Sequence, residues 1–328
     1  MKLKKILTSF MLLSGFCLSS CGSVKHYSET QYMIDVDYVS DFKILQLTDI
    51  HMGFEDDLNL HFSFMDLSIK EANPNMIVVT GDLFTFANYD VAKKLFDFFD
   101  SYDIPWSVVF GNHDEQVYFS PSTMNDLLMN KAKNAKFIDY IDDDIYGNSN
   151  YCINLKQGDK TKYQLYMIDS NRYQYKDYMG YDYVRENQIK WYENMVNYSK
   201  NENGGTVVPS LAFFHIPFEE YNIAYQKAKN GEATLVYGDN RESVSSPKFN
   251  SGLFDKMVEL GSTKATFVGH DHINNSQVNY QGIDLVYGVH STNRVYYDND
   301  RIGALSITLH DDLTYTIDRY YHTYEELK

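Results

Sequence analysis

From Phe42 onward, short apolar runs alternate with stretches of amphipathic period. Residues 42–48 read as a strand, and Phe64, Leu67, Ile69 and Ala72 recur at helical spacing until Asn73-Pro74 ends the helix. Residues 76–79 have the unbroken apolar character of a buried strand. Val91, Leu95, Phe98 and Phe99 mark the next helix, and residues 106–110 give a third strand. This β-α-β-α-β order predicts a layered α/β domain whose central strands are parallel. Farther along, residues 150–155 and 163–168 flank Lys156-Gln157-Gly158-Asp159 as a hairpin. Residues 184–198 read as a helix packing through Ile189, Trp191 and Met195. The last third places strands at 210–214, 265–268, 283–287 and 302–309 and a helix near 253–260. With no repeat and no Pro/Gly-rich linker after residue 40, residues 41–328 are expected to form one domain.

The start of the chain follows another pattern. Lys2, Lys4 and Lys5 precede an apolar run over 6–18 that is too short for a permanent membrane span, so it reads as a secretory signal. Leu18-Ser19-Ser20-Cys21, with Gly22 next, resembles the lipobox of bacterial lipoproteins. That resemblance implies removal of residues 1–20, lipidation of Cys21, and a protein anchored by lipid to the outer face of the cell membrane. The plainer alternative is an ordinary signal peptide with a cysteine near its cleavage site. Residues 21–40 are polar, tyrosine-rich and without period, and are expected to act as a tether.

Past Cys21 only Cys152 remains, so no disulfide framework is available and the domain must rest on its core. A chain of this length can bury about three quarters of its unfolded surface. The net charge is −16, and loss of the three signal lysines would bring it near −19. Such a surface repels polyanions and disfavours nucleic acid as a partner.

Five short strings stand where predicted strands end: Asp49-Ile50-His51, Gly81-Asp82, Gly111-Asn112-His113-Asp114, His215, and Gly269-His270-Asp271-His272. Open α/β sheets place their sites at such strand ends. Two cations about 4 Å apart need a set of nitrogen and oxygen donors and a shared carboxylate. Alternate residues of an extended segment face the same side, so Asp49 with His51, and His270 with His272, are each expected to reach one cavity. Glycine ahead of Asp82, Asn112 and His270 permits close approach. Imidazole and carboxylate without thiolate suit Mn, Fe or Zn.

The ordered set D-x-H, G-D, G-N-H-D, a lone His after an apolar strand, and G-H-x-H resembles the calcineurin-like metallophosphoesterase family over nearly all of 42–320. The resemblance implies a four-layer α/β/β/α sandwich of two mixed sheets. It implies two divalent or trivalent ions, the first held by Asp49, His51, Asp82 and His272, the second by the bridging Asp82 with Asn112, His215 and His270. A small phosphate ester would then be hydrolysed by a metal-bridging hydroxide, with His113 facing the phosphate as a charge stabiliser or acid. Thr85 stands where purple acid phosphatases carry a tyrosine ligand, and Leu83-Phe84-Thr85-Phe86 lacks the Asp-Arg-Gly of protein Ser/Thr phosphatases. The strings at 42–51, 213–217 and 269–274 look closest to plant and fungal relatives of purple acid phosphatases without the purple ligand set.

Other residues carry plainer expectations. Asp114 is read as a hydrogen-bonding support, and Arg172 as either a phosphate contact or a surface ion pair. His26, His61, His290, His310 and His322 are read as surface or core residues. His290 is set apart because Gly288-Val289-His290-Ser291 also follows a strand. The acidic runs at 55–57 and 142–144 lack calcium-loop spacing and read as solvated loops. Rival functions are a nuclease or cyclic-nucleotide phosphodiesterase and, outside enzymes, a metal-stabilised binding lipoprotein.

Overall fold

The computed structural model describes residues 28–139, 144–176 and 179–327. In chain order its strands are β1 (Met33–Asp37), β2 (Phe42–Leu47), β3 (Met76–Thr80), β4 (Trp106–Val109), β5 (Tyr151–Gln157), β6 (Lys160–Met167), β7 (Tyr173–Gln174) and β8 (Gly180–Tyr181). They continue as β9 (Ser210–Phe213), β10 (Thr234–Tyr237), β11 (Thr263–Val268), β12 (Gln277–Tyr280), β13 (Ile283–Tyr287), β14 (Ile302–Leu309) and β15 (Tyr315–His322). One sheet is ordered β15-β14-β2-β3-β4, the other β1-β5-β6-β9-β11-β13-β12-β10, and β7 pairs with β8. The neighbours β2-β3-β4 are parallel, as are β6-β9-β11-β13.

Side chains of a strand point alternately to its two faces, and here each face finds its own core. Tyr163, Leu165 and Met167 of β6 and Leu211 and Phe213 of β9 join a cluster shared with β2, β3, β4 and the helices α1 (Leu58–Ala72) and α2 (Tyr89–Asp100). Tyr166, Ala212 and Cys152 point the other way. They pack against α4 (Glu186–Glu202), α5 (Glu220–Lys229) and α6 (Leu253–Leu260) through Trp191, Tyr192, Met195, Tyr221, Phe254 and Met257. The short α3 (Pro121–Asp126) precedes the hairpin. The result is the expected α/β/β/α sandwich of two mixed sheets. Helix ends follow local chemistry: the Asp57 side chain caps α1 at Leu60 N, and Asn73 closes it in the left-handed region at φ 46° before Pro74.

The expected tether requires correction. Met33–Asp37 is an edge strand parallel to β5, and Tyr32 and Tyr38 on either side of it are buried. Its polar alternation reads as linker because an edge strand with one wet face carries little apolar signal. The same holds for β15, an edge strand whose residues are mostly half-buried or exposed. Strands β10 and β12 and helix α5 were likewise not signalled by periodicity. Cys21 and the signal segment lie outside the described residues. Among the described residues, no helix is long and apolar enough to cross a membrane.

Candidate metal centre

The C-terminal ends of β2, β3, β4, β9 and β11 deliver the predicted strings to one place. Asp49 N donates to the Gly81 carbonyl at 3.1 Å and His51 N to that of Asp82 at 2.8 Å, which laces the first two loops together. The chain turns sharply here. Asp49, His51, Asp82 and His270 all lie in the left-handed region, at φ 54°, 49°, 51° and 75°. Non-glycine residues hold that conformation only where the surroundings impose it. The expectation that Asp49 and His51 share a side by strand alternation therefore gives way to a different cause: left-handed residues on either side of Ile50. Gly111 and Gly269 serve close approach, since a Cβ at Gly111 would overlap the Asp82 carboxylate and one at Gly269 that of Asp49.

The side chains converge in overlapping groups. Ligand-type atoms of Asp82, His215 and His270 lie within 4.8 Å of one another, as do those of Asp49, His51 and Asp82. His51 Nε2 stands 3.1 Å from His272 Nε2 and 3.5 Å from Asp82 Oδ2, and His272 Nε2 is 3.5 Å from Asp49 Oδ1. His215 Nε2 is 3.1 Å from Asp82 Oδ2, yet the pair is not aligned as a hydrogen bond, and Nε2 has no partner. His270 Nε2 and Asn112 Oδ1 are likewise buried without partners. A buried polar atom left unmet costs about 1–3 kcal/mol. The orphaned nitrogens of His215 and His270 beside the Asp82 carboxylate, and the buried Asn112 oxygen, are accounted for if cations receive them, so the residues fit a metal centre.

Supporting atoms fix each ring. His215 Nδ1–H donates to the Thr80 carbonyl at 2.8 Å and His272 Nδ1–H to that of Tyr296 at 2.7 Å, which leaves both Nε2 atoms as lone pairs. His51 Nδ1 bonds Thr85 Oγ1 at 2.7 Å, so the residue at the tyrosine-ligand position orients a ligand instead. Asn112 Nδ2 donates to the Tyr173 hydroxyl at 2.8 Å, which fixes the amide with Oδ1 buried. Burial opposes the charge of Asp82, yet the adjoining His215 and His51 hold it below the usual carboxylate range. Burial also presses on His215, and the Asp82 and Asp49 carboxylates raise it to about 10, so a cation bound at Nε2 would displace a proton there. His51 is pushed down to about 4 by burial.

His113 stands at the rim, partly exposed, its backbone N–H on Asp82 Oδ1 at 2.8 Å and its Nδ1 on Gln116 Oε1 at 2.9 Å. Nε2 is therefore free to face a substrate. Asp114 accepts the backbone N–H groups of Gly111, Asp82 and Phe84 at 2.7, 3.0 and 3.1 Å, binding the β3 and β4 loops to each other. Arg172 forms an ion pair with Glu115 and lines a cavity of about 620 Å³ with Gly111, Asp169, Tyr173 and Phe119. Sequence reasoning groups His290 with the surface or core histidines while setting it apart for its place after a strand. The structure puts it in the cluster, with Asp49 and His272. The signal available was its position, directly after a parallel strand. His61, His310 and His322 pair with Asp56, Asp41 and Ser68 away from the centre. Asp56 is buried against Arg294 rather than solvated.

A family model described as calcineurin-like phosphoesterase matches residues 42–274. The probable inactive purple acid phosphatase 14 of Arabidopsis thaliana is 31% identical over 310 residues, 83% of this chain and 75% of that protein. Phosphatase DCR2 of Saccharomyces cerevisiae is 28% identical over 268 residues, 71% of this chain and 44% of that one. Among solved structures, a dimetal phosphatase from Danio rerio superposes with a TM-score of 0.55 at 14% identity, covering 86% of this chain and 96% of that one. That last likeness speaks for the fold alone.

Proposed function

The chain belongs to the calcineurin-like phosphoesterase family, and from that premise we propose that its buried cluster holds two metal ions and hydrolyses a small phosphate ester. The observation that carries the reading is the pair of orphaned ring nitrogens, His215 Nε2 and His270 Nε2, grouped about Asp82, with Asn112 Oδ1 also buried and unpartnered. Asp49, His51, Asp82 and His272 would hold one ion; Asp82, Asn112, His215 and His270 the other. Bound ions would supply the positive charge that activates water and offsets charge on the phosphoryl oxygens.

The protein's own groups do the rest. The carbonyls of Thr80 and Tyr296 and the hydroxyls of Thr85 and Tyr173 keep the donors aimed before substrate arrives. Water attacks phosphorus and the bond to the ester oxygen breaks. His113 Nε2, its ring fixed through Gln116, gives the departing oxygen its proton. The cavity lined by Gly111 and Tyr173, on either side of the Asn112 support, would receive the alcohol portion.

The plant relative's name carries the word inactive, and the word is said of that protein. Here the donors of both ions and His113 are all present, which favours catalysis over a binding role. The acidic balance favours a small ester over nucleic acid. The location is proposed from the lipobox-like string alone: the domain would stand outside the cytoplasm on a lipidated Cys21. Mass spectrometry of the mature N-terminus checks it, and an unmodified start elsewhere would remove the anchor.

The catalytic reading is tested on chelated and Mn²⁺-reloaded protein with p-nitrophenyl phosphate and bis-p-nitrophenyl phosphate. Hydrolysis of at least one ester should vanish on chelation and return with Mn²⁺. Turnover indifferent to the chelator, or none with either ester, would sink the reading.

A further inference from the structure

Strand β13 runs parallel to β11, and His290 follows it as His270 follows β11. We propose that His290 is a further ligand of the metal centre, its Nδ1 adding a donor to the ion that Asp49 and His272 hold. The proposal rests on the reading that the cluster binds metal, and it concerns a residue beyond the stretch 42–274 matched by the family model.

Position comes first. One ring nitrogen of His290 lies within 4.8 Å of ligand-type atoms of both Asp49 and His272. The ring is buried and stacks on that of His272, with centroids 4.3 Å apart and planes at 14°. Protonation comes second. Nε2 lies 3.0 Å from the Arg294 carbonyl, which can only accept, so Nε2 carries the hydrogen. Nδ1 keeps its lone pair, and it is buried without a hydrogen-bond partner. His215 and His272 show the same arrangement, one nitrogen tied to a carbonyl and the other turned to the cluster. Metal-bound histidines are ordinarily held this way.

The loop that carries His290 is fastened to the Asp49 loop at several points. Ser291 N donates to the Thr48 carbonyl at 3.0 Å, Thr48 N donates to Ser291 Oγ at 2.9 Å, and Thr292 Oγ1 donates to the Ile50 carbonyl at 2.9 Å. The Arg294 guanidinium pairs with buried Asp56 at 2.8 Å. The ring therefore cannot drift from the cluster without unlacing the Asp49 loop. A fifth protein donor on this ion also favours five- or six-coordinate metals such as Mn²⁺ over four-coordinate Zn²⁺.

The competing explanation is that His290 only props its loop through Nε2. Two substitutions separate the roles. His290→Asn keeps a donor atom near the Nδ1 position and loses the reach to Arg294. His290→Gln reaches toward Arg294 and offers nothing at Nδ1. Mn²⁺ affinity of the full chain, measured by chelator competition, should fall by about 10–100-fold for one ion in His290→Gln and less in His290→Asn. Equal or tighter binding by His290→Gln would overturn the proposal. If neither variant folds, wild-type chain labelled with ¹⁵N-histidine and loaded with Cd²⁺, a diamagnetic ion that accepts five or six donors, decides. The ring nitrogens of His51, His215, His270, His272 and His290 should all show metal-bound shifts, and a shift confined to the first four would overturn it. A wild-type chain that takes up no metal would instead defeat the reading beneath.

Discussion

The interior between the two sheets and the cluster at their strand ends are buried to the same degree, yet burial acts on them in opposite ways. Phe213 and Phe267 stack at 5.1 Å with no exposure, and removing their surface from water stabilises the fold by about 25 cal/mol per Å². Asp82 and His215 are as deeply enclosed at the next turn of the chain. There burial strips water from a carboxylate and leaves the imidazole Nε2 without a partner. The left-handed backbone at Asp49, His51, Asp82 and His270 adds strain to the same few residues. Depth alone therefore does not mark the working region. Unmet lone pairs and imposed backbone do, and the apolar interior is what holds them in place.

Substitutions on the two sides of this divide should fail differently. Asp82→Asn removes the shared charge, so turnover should drop to background and bound metal should fall, while the ion-free chain keeps its melting temperature. Full activity with wild-type metal content in that variant would break the comparison. His113→Ala should lower kcat by about 10²–10⁴, the range for a lost general acid, with metal content intact. The loss should shrink for esters with good leaving groups. Metal loss in that variant would move His113 from the chemistry to the ion site. On the apolar side, Phe213→Ala should destabilise folding by about 3–5 kcal/mol in denaturant titrations, with metal stoichiometry of the folded fraction unchanged. A loss of metal without a loss of stability would show that the two regions are not separable. The smallest effect is expected at Arg172, half exposed and paired with Glu115. An exposed pair contributes about 0–1 kcal/mol, so Arg172→Ala should change kcat/KM by no more than about fivefold. A drop beyond about a hundredfold would make Arg172 a phosphate contact.

What the sequence made legible follows the same divide. The strands β2, β3, β4, β9 and β11 announce themselves because both of their faces are covered, which writes a continuous apolar run. The polar strings directly after them mark the site. Strands β1 and β15 are edges with a wet face, so Met33–Asp37 reads as linker and Tyr315–His322 gives no strand signal. The supports were also out of reach. Thr85, Tyr173 and the Tyr296 carbonyl act through contacts that no spacing encodes, and Asp56 looked solvated because its partner Arg294 lies far along the chain. His290 was half visible. Its place after β13 set it apart, but without a Gly-His-x-His string nothing joined it to Asp49 and His272.

The central claim is that the buried polar cluster is a two-ion centre on which activity depends. It is tested most directly by titrating ion-free, full-length chain with Mn²⁺ while following bound metal and hydrolysis of p-nitrophenyl phosphate, or of the diester if that is the ester turned over, in the same samples. Binding should saturate at two ions per chain, with activity rising as the second ion binds. Full activity at one equivalent or none would contradict the account.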